Sequence, residues 1–273
     1  MTSVSTKTTS LPVLACVIAG GRGTRLKEES NNQPLKPFVT IDNTALILRV
    51  IQRLTLSSPK NIAINTSHAS AADTLQFEAL GLPIIQDANS IGPLGGLLAA
   101  LQWANNKVTV EPQCSGSKED DGERENSSMF PSCQGGWLLT APCDTPFLPS
   151  DYLKHLLDSL KEAPKPHQIK MAISSYANKI HPLCGLFHTN LLPALTSFLQ
   201  SPTSPIPTAS LTSSNSSASH ITPKNPRFSL KQWLAQQSYS VANFDHHTED
   251  PFFNINTPAD LEAAQIRFNA QRQ

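Results

Sequence analysis

An apolar run that ends in a glycine-rich turn constrains the fold of this chain more than any other part of its sequence. Residues 13–19 are all hydrophobic, and residues 20–25 read Gly-Gly-Arg-Gly-Thr-Arg. A buried strand that leads into such a turn can present backbone N–H groups to phosphate oxygens, because glycine lets the main chain approach closely. The guanidinium groups of Arg22 and Arg25 suit phosphate geometry. The spacing matches neither common phosphate-binding motif, so a tight strand-to-helix turn with two surface arginines is an equal alternative.

Charge and cysteine usage exclude several classes of function. The 273 residues include 21 Lys and Arg against 21 Asp and Glu, which gives a formal net charge of zero. We therefore expect no bulk attraction to nucleic acid or to an anionic membrane. The cysteines lack a C-x-x-C pair, which argues against a disulfide framework or a structural zinc site and favours a reducing, cytoplasmic location. They lie at five scattered positions: Cys16, Cys114, Cys133, Cys143 and Cys184.

Short apolar runs alternate with segments of helical periodicity along most of the chain. This alternation predicts an α/β, Rossmann-like three-layer fold in which a mostly parallel sheet carries helices on both faces. The predicted strands cover residues 13–19, 61–65, 82–86, 136–140 and 252–256. The predicted helices cover residues 46–54, 94–104 and 152–160, and a last helix begins after Thr257, a capping residue that Pro258 follows.

Two polar segments interrupt this pattern. Residues 105–134 are rich in Ser, Glu, Asp, Gly and Asn, and residues 201–227 are rich in Ser, Thr and Pro. Neither has enough apolar surface to offset the entropy of ordering, so we predict two solvated insertions. We expect a flexible tail over residues 1–10 and a single domain over residues 11–273 that contains both insertions.

The carboxyl ends of the predicted strands should gather polar side chains at one edge of the sheet, where α/β proteins bind ligands. Asp144 is the sharpest candidate, because it follows a buried strand between two prolines and a lone carboxylate beside phosphates suits Mg²⁺. The alternative is a cap for the next helix, for which Ser150 and Asp151 are better placed. The remaining candidates at this edge are Gly20, Gly21, Arg25, Lys36, Asn65, Asp87, Asn254 and Asn256.

Several other motifs are compatible with either a binding role or a purely structural role. Asn65 and Asp87 are also common turn residues. The segment Gly92-Pro93-Leu94-Gly95-Gly96 could direct helix N-terminal amides at an anion or a base edge, or could serve close packing of helix on strand. His181, His246 and His247 have no Cys or Glu at metal-ligand spacing, so we predict no metal set there. No base is evident for Cys143 as a nucleophile.

Taken in order, these motifs resemble those of the molybdenum cofactor guanylyltransferases, the MobA-like family of nucleotidyltransferases. The resemblance spans most of the chain except the two insertions, and it implies the nucleotide-diphospho-sugar transferase type of fold. The segments that carry it are Ile18-Ala19-Gly20-Gly21 with Arg25, Pro34-Leu35-Lys36-Pro37, Asn65, Asp87, Gly92-Pro93-Leu94-Gly95-Gly96, Pro142-Cys143-Asp144-Thr145-Pro146, and Asn254-Ile255-Asn256-Thr257-Pro258.

The resemblance implies transfer of GMP from GTP to molybdopterin-bound molybdenum, with release of pyrophosphate. It implies Mg²⁺ as the cofactor on Asp144, catalytic roles for Arg25, Lys36 and Asp144, and a substrate-side position for Asn254 and Asn256. The nucleotide-binding residues that it implies are Ile18, Ala19, Gly20, Gly21, Lys36, Asn65, Asp87, Gly92, Pro93 and Asp144.

The implied partners are GTP and Mo-molybdopterin, together with molybdenum-insertion proteins or molybdoenzyme chaperones, and we expect a monomer. The Ala-Gly-Gly form of the loop resembles the guanylyl rather than the cytidylyl branch. Two alternatives remain. One is another nucleotidyltransferase of the same fold: a cytidylyltransferase, or a sugar-1-phosphate nucleotidyltransferase, which residues 23–26 and 34–37 also resemble. The other is a non-catalytic nucleotide- or cofactor-binding protein.

Overall fold

The computed structural model describes residues 13–20, 35–54, 61–67, 71–87, 92–110, 135–200 and 229–271. Its strands form one large sheet and one short antiparallel ribbon. In chain order they are β1 (Val13–Ile18), β2 (Thr40–Ile41), β3 (Thr44–Ala45), β4 (Ile62–Thr66), β5 (Ile84–Gln86), β6 (Trp137–Pro142), β7 (Met171–Tyr176), β8 (Lys179–His188) and β9 (Ser240–Asn243).

The large sheet has seven strands in the order β5-β4-β1-β6-β8-β7-β9, and β2 pairs with β3. Strands β5, β4, β1 and β6 run parallel, β8 is antiparallel to both β6 and β7, and β9 is parallel to β7. The mostly parallel α/β sheet expected from the sequence is therefore confirmed. Strand β1 is continuously apolar because helices cover both of its faces.

Helices pack on both faces of the sheet, as predicted. Alternate side chains of β1 point to opposite faces: Ala15 and Val17 join one hydrophobic cluster, and Leu14 and Cys16 join the other. Helices α1 (Leu46–Arg53) and α4 (Tyr152–Lys161) cover the first face, whereas α3 (Pro93–Val110), α5 (Leu192–Gln200) and α6 (Leu230–Leu234) cover the second. The structure also contains α2 (Ala71–Glu78) and α7 (Pro258–Ala270).

The strand predicted over residues 252–256 is wrong, because this segment has no regular secondary structure. The Asp250 carboxylate accepts a hydrogen bond of 2.8 Å from the Phe252 N–H, which turns the chain where the strand was expected to begin. Phe252 and Ile255 are nevertheless buried. Their apolar side chains anchor an irregular segment rather than a sheet strand.

Helix α3 is longer than predicted and enters the segment that was interpreted as the first insertion. It continues to Val110 because Leu101, Ala104 and Val108 repeat at helical spacing and pack on the second hydrophobic cluster. Residues 111–134 and 201–227, which hold most of the two expected insertions, lie outside the described residues, as does the expected tail. Within the described part of the chain, no helix combines the length and apolar character required to cross a membrane.

Candidate active site

Three segments that are far apart in the chain meet at the Lys36 side chain. Lys36 begins a short 3₁₀ turn, and its ammonium group forms an ion pair with Oδ2 of Asp144, 108 residues away. The same ammonium donates a hydrogen bond of 2.8 Å to Oδ1 of Asn256. The Lys36 and Asp144 side chains are only 10% and 14% exposed, so water screens this pair weakly.

The loop after β6 holds Asp144 in place through its backbone. The Cys143 N–H donates to the Ile18 carbonyl oxygen at 3.0 Å, which ties the loop to the end of β1. The Thr145 hydroxyl donates to the Pro142 carbonyl oxygen at 2.8 Å. The Asp144 carbonyl oxygen accepts a bond of 3.0 Å from the Ile255 N–H. The carboxylate is therefore fixed at the carboxyl end of the parallel strands.

Asn256 is held by the first turn of α7. The Asp260 carboxylate accepts hydrogen bonds from the N–H groups of Asn256 and Thr257, at 2.9 and 2.8 Å, and the Asp260 N–H donates to the Thr257 hydroxyl. This capping box begins the helix at the position that the Thr257-Pro258 pair predicts. Burial acts to raise the pKa of Asp260, but these hydrogen bonds lower it overall.

One oxygen of Asp144 is available to a cation. Oδ1 is buried and has no hydrogen-bond partner among the residues that the structure describes. An unsatisfied buried polar atom costs about 1–3 kcal/mol, which a ligand would offset. Mg²⁺ prefers one or two carboxylates together with phosphate oxygens. The donor chemistry at Asp144 therefore fits the expected magnesium ion.

Asn65 and Asp87 lie under the first turn of α3 and are 1% and 5% exposed. The Asn65 side-chain amide donates to the Ile85 carbonyl oxygen at 3.2 Å. A Cβ atom at Gly95 would lie 2.3 Å from Oδ2 of Asp87, and one at Gly96 would lie 2.6 Å from Oδ1 of Asn65. The two glycines thus allow close packing of helix on strand, and the Asp87 carboxylate lies where the helix dipole favours negative charge.

The start of the glycine-rich turn is tied to the end of β4. The Ala19 N–H donates to the Asn65 carbonyl oxygen at 2.7 Å, and the Ser67 hydroxyl donates to the Gly20 carbonyl oxygen. Sequence reasoning missed Ser67, although its position directly after β4 was a signal for this edge of the sheet. Gly21 and Arg25 lie outside the described residues.

The predicted site residues form two groups at one edge of the sheet. Ile18 pairs with Asn65 of β4 on one side and with Pro142 of β6 on the other, so the ends of these strands are adjacent. Asn254 is exposed, and within the described residues it contacts neither Lys36 nor Asp144 through a hydrogen bond. The first group is Lys36, Asp144 and Asn256, and the second is Ala19, Gly20, Asn65 and Asp87 with Gly92 and Pro93 at the start of α3.

Two further expectations concern nucleophiles and helix caps. Burial raises the pKa of the Cys143 thiol, which keeps it protonated and agrees with the absence of a nucleophilic role.

Asp151 occupies the N-cap position of α4 but makes no side-chain cap hydrogen bond, so its predicted capping role is wrong. Its carboxylate instead faces His246 and His247, and one ligand atom from each of these three residues lies within 4.8 Å of the others. The prediction of no metal set at these histidines considered only nearby Cys and Glu residues, and it stays a prediction.

The family model and the relatives that this chain resembles belong to the same family of proteins. Residues 15–206 match the family model described as MobA-like NTP transferase domain. The chain is 29% identical over 253 residues to a protein of Rhodopseudomonas palustris (strain BisB5) named molybdenum cofactor guanylyltransferase, covering 92% of this chain and 91% of that one. It is 30% identical over 263 residues to a protein of the same name from Brucella ovis, covering 95% and 94%.

Solved structures share the fold at low sequence identity. A nucleotidyl transferase from Methanothermobacter thermautotroptrophicus gives a TM-score of 0.54 at 14% identity, covering 95% of this chain and 98% of that chain. A CMP:2-keto-3-deoxy-manno-octonic acid synthetase complexed with CTP gives a TM-score of 0.54 at 13% identity, covering 95% and 99%. These similarities extend to the fold alone, which is of the nucleotide-diphospho-sugar transferase type.

Proposed function

Because this chain belongs to the MobA-like NTP transferase family and is a nucleotidyltransferase, we propose that it transfers GMP from GTP to Mo-molybdopterin. The products are the guanine dinucleotide form of the molybdenum cofactor and pyrophosphate. The names of its relatives support this substrate pair. The observation that carries the proposal is the junction of Lys36, Asp144 and Asn256, where a buried carboxylate oxygen without a partner lies beside an ammonium group.

The chemistry needs positioning and charge neutralisation rather than a protein nucleophile. An oxygen of the molybdopterin phosphate forms a bond to the α-phosphorus of GTP, and the bond from that phosphorus to the bridging oxygen of the β-phosphate breaks. Pyrophosphate leaves with the electron pair. Both reacting groups are anionic, so in-line alignment and fixed positive charge lower the barrier.

Lys36 supplies fixed positive charge in this scheme. Its ammonium group is oriented by Asp144 and Asn256, which reduces the reorganisation required when the phosphate charge shifts. Arg25 adds a second cation from the glycine-rich turn. Enzymes of this family generally use a divalent metal, and we propose that Asp144 holds Mg²⁺ through Oδ1. Bound Mg²⁺ supplies neutralisation of the triphosphate charge.

The remaining residues shape the nucleotide side of the site. We propose that Ile18, Ala19, Gly20 and Gly21 contact the nucleotide through their backbone, together with Gly92 and Pro93 at the start of α3. Asn65 and Asp87 are buried beneath that helix turn, so in this scheme they hold the two nucleotide-binding segments together. Asn254 is exposed two residues before Asn256 in the chain, and we assign it to the pterin substrate.

A nucleotide competition assay tests the proposal. The purified chain is incubated with Mg²⁺, Mo-molybdopterin and one of GTP, CTP or UTP, and pyrophosphate release and nucleotide incorporation are both measured. Incorporation of GMP with a strong preference for GTP supports the proposal. Preference for CTP indicates a cytidylyltransferase, and release that depends on an added sugar 1-phosphate indicates a sugar nucleotidyltransferase. Nucleotide binding without any pyrophosphate release would indicate a binding protein. Each of these three outcomes overturns the proposal.

The same preparation tests the expected partners. Analytical ultracentrifugation should give a monomer. Pull-down with a molybdenum-insertion protein or a molybdoenzyme chaperone should detect association when Mo-molybdopterin or its product is present, since such proteins would supply the substrate or receive the product.

A further inference from the structure

We propose that Asp151, His246 and His247 form a binding site for a divalent transition metal of the Zn²⁺ class, separate from the magnesium ligand Asp144. One carboxylate oxygen and one ring nitrogen from each histidine all lie within 4.8 Å of one another. The residues come from the start of α4 and from the loop after β9. Neither segment takes part in the proposed transfer of GMP, so this inference goes beyond that function.

The distances suit a single ion. Nε2 of His246 is 3.3 Å from Oδ2 of Asp151, and Nε2 of His247 is 3.6 Å from Oδ1 of the same carboxylate. Zinc binds imidazole nitrogen and carboxylate oxygen at about 2.0–2.2 Å, so two ligands at a tetrahedral angle lie roughly 3.4 Å apart. The two separations involve different oxygens of the carboxylate, both are close to this spacing, and one ligand atom from each of the three residues lies within 4.8 Å of the others.

Unsatisfied polar atoms point into the cluster. Oδ1 of Asp151 and Nε2 of His247 are both buried, and within the described ranges neither has a hydrogen-bond partner. Asp151 occupies a helix N-cap position, where its carboxylate would ordinarily accept a backbone N–H, yet it makes no such bond. Oδ2 of Asp151 contacts His246, so the atoms that a metal ion would satisfy are Oδ1 of Asp151 and Nε2 of His247, which face each other at 3.6 Å.

A neighbouring histidine restrains the ligand rings. The His155 ring lies 4.9 Å from the His246 ring, and its Nε2 is 2.8 Å from the Asn243 carbonyl oxygen. The rings of His246 and His247 lie 4.2 Å apart. Such supporting contacts orient metal ligands and are typical of metal sites. The groups that lie within ligand reach of one another remain two imidazoles and one carboxylate.

The donor set selects the class of metal. Mg²⁺ prefers oxygen ligands, whereas imidazole suits Zn²⁺, Cu²⁺, Fe²⁺ and Ni²⁺. Three protein ligands leave a fourth position for water, and the His246 side chain is 47% exposed, so the site is open to solvent. A bound ion would join the start of α4 to the loop after β9. This loop leads into the irregular segment whose Ile255 N–H donates to the Asp144 carbonyl oxygen. We therefore expect the ion to stabilise the native chain.

The test measures Zn²⁺ binding directly and does not depend on nucleotide transfer. The full chain is treated with a chelator, dialysed, and titrated with Zn²⁺ against a chromophoric competitor in the presence of Mg²⁺. We expect one Zn²⁺ per chain and an increase of Tm by several degrees. Co²⁺ should give the visible absorption of a low-coordinate nitrogen and oxygen site. Serine replaces Cys114 and Cys133 throughout, because these thiols lie outside the described residues and could bind Zn²⁺ themselves.

Single variants locate the ligands. Asp151→Asn, His246→Ala and His247→Ala should each weaken Zn²⁺ binding by more than about 100-fold, since loss of even a supporting residue typically costs 10- to 100-fold. His167→Ala, at an exposed histidine elsewhere, should bind as the parent chain does. Circular dichroism without metal checks that each variant folds. The proposal is overturned if the parent chain binds no stoichiometric Zn²⁺, or if all three variants bind it undiminished.

Discussion

The ammonium group of Lys36 contacts the carboxylate of Asp144 across 108 residues of sequence. The first residue follows the glycine-rich turn, and the second follows β6, whose parallel pairing with β1 brings the two segments to one edge of the sheet. Asn256 completes the junction from the start of α7. The pair leaves the second oxygen of Asp144 free of a hydrogen-bond partner within the described part of the chain, and this oxygen is the proposed magnesium ligand.

Replacement of Lys36 should remove most of the activity. Lys36→Met keeps the length of the side chain but removes the positive charge from the phosphate site. Loss of one preorganised charge donor typically lowers kcat by about 10²–10³-fold. Single-turnover measurements of pyrophosphate release should show this loss. Lys231→Met, at an exposed lysine on α6, is the matched control and should retain the parent rate. Equal rates in the two variants would contradict a role for Lys36.

Asn256 should act through Lys36. Asn256→Ala removes the oxygen that accepts the 2.8 Å bond from the Lys36 ammonium. Hydrogen bonds to charged groups contribute about 1.5–3 kcal/mol, so kcat should fall by roughly 10- to 100-fold. If Asn256 only positions the lysine, it should have little further effect in a Lys36→Met background. Asn106→Ala, on the exposed side of α3, provides the control. Additive losses in the double variant would rule out this coupling.

Gly95 and Asp87 should be coupled in stability. In Gly95→Ala the new methyl group would lie 2.3 Å from Oδ2 of Asp87. Overpacking of this kind typically costs about 1–3 kcal/mol. Combining it with Asp87→Ala removes the clash, so urea unfolding should show the double variant to be more stable than the sum of the single effects predicts. Strict additivity would show that the carboxylate does not lie against this turn.

Asp260 should make stability depend on pH in the acid range. Its pKa is lower in the folded chain than in the unfolded chain, despite the opposing effect of burial, because backbone N–H groups bind its ionised form. The resulting stabilisation is fully present above the unfolded pKa and is lost as the pH falls through the folded pKa. Urea unfolding of the parent chain and of Asp260→Asn should therefore differ most above the unfolded pKa and converge as the pH falls through the folded pKa. A difference that grows on acidification would contradict the assignment.

Local patterns predicted the parts of the fold that local physics determines. The continuous apolar run of β1 and the capping residues of α7 specify their elements without help from distant segments. The rule that ligands gather at the carboxyl ends of parallel strands was enough to associate Lys36 with Asp144. The sequence did not predict β8, whose antiparallel position between β6 and β7 depends on pairing with residues far along the chain.

The histidine cluster was missed for a related reason. His246 and Asp151 are 95 residues apart, and no local sequence pattern predicts such a long-range contact. The apolar residues near Phe252 were interpreted as a strand, because an apolar pattern indicates burial but does not distinguish a buried loop from a sheet strand. In both cases the deciding interaction is tertiary: the Asp151 carboxylate faces the imidazoles, and the Asp250 carboxylate turns the chain.

Transfer of labelled GMP by the Asp144→Asn variant tests the central claim most directly. The assay follows the α-phosphate of GTP onto Mo-molybdopterin at increasing Mg²⁺ concentrations. The control is Asp158→Asn, at a half-buried carboxylate on α4 that pairs with Lys154 and Lys161. We predict that the parent chain and the control form the guanine dinucleotide product in a Mg²⁺-dependent manner, whereas Asp144→Asn loses the activity across the same concentrations. Full Mg²⁺-dependent transfer by Asp144→Asn would contradict this account.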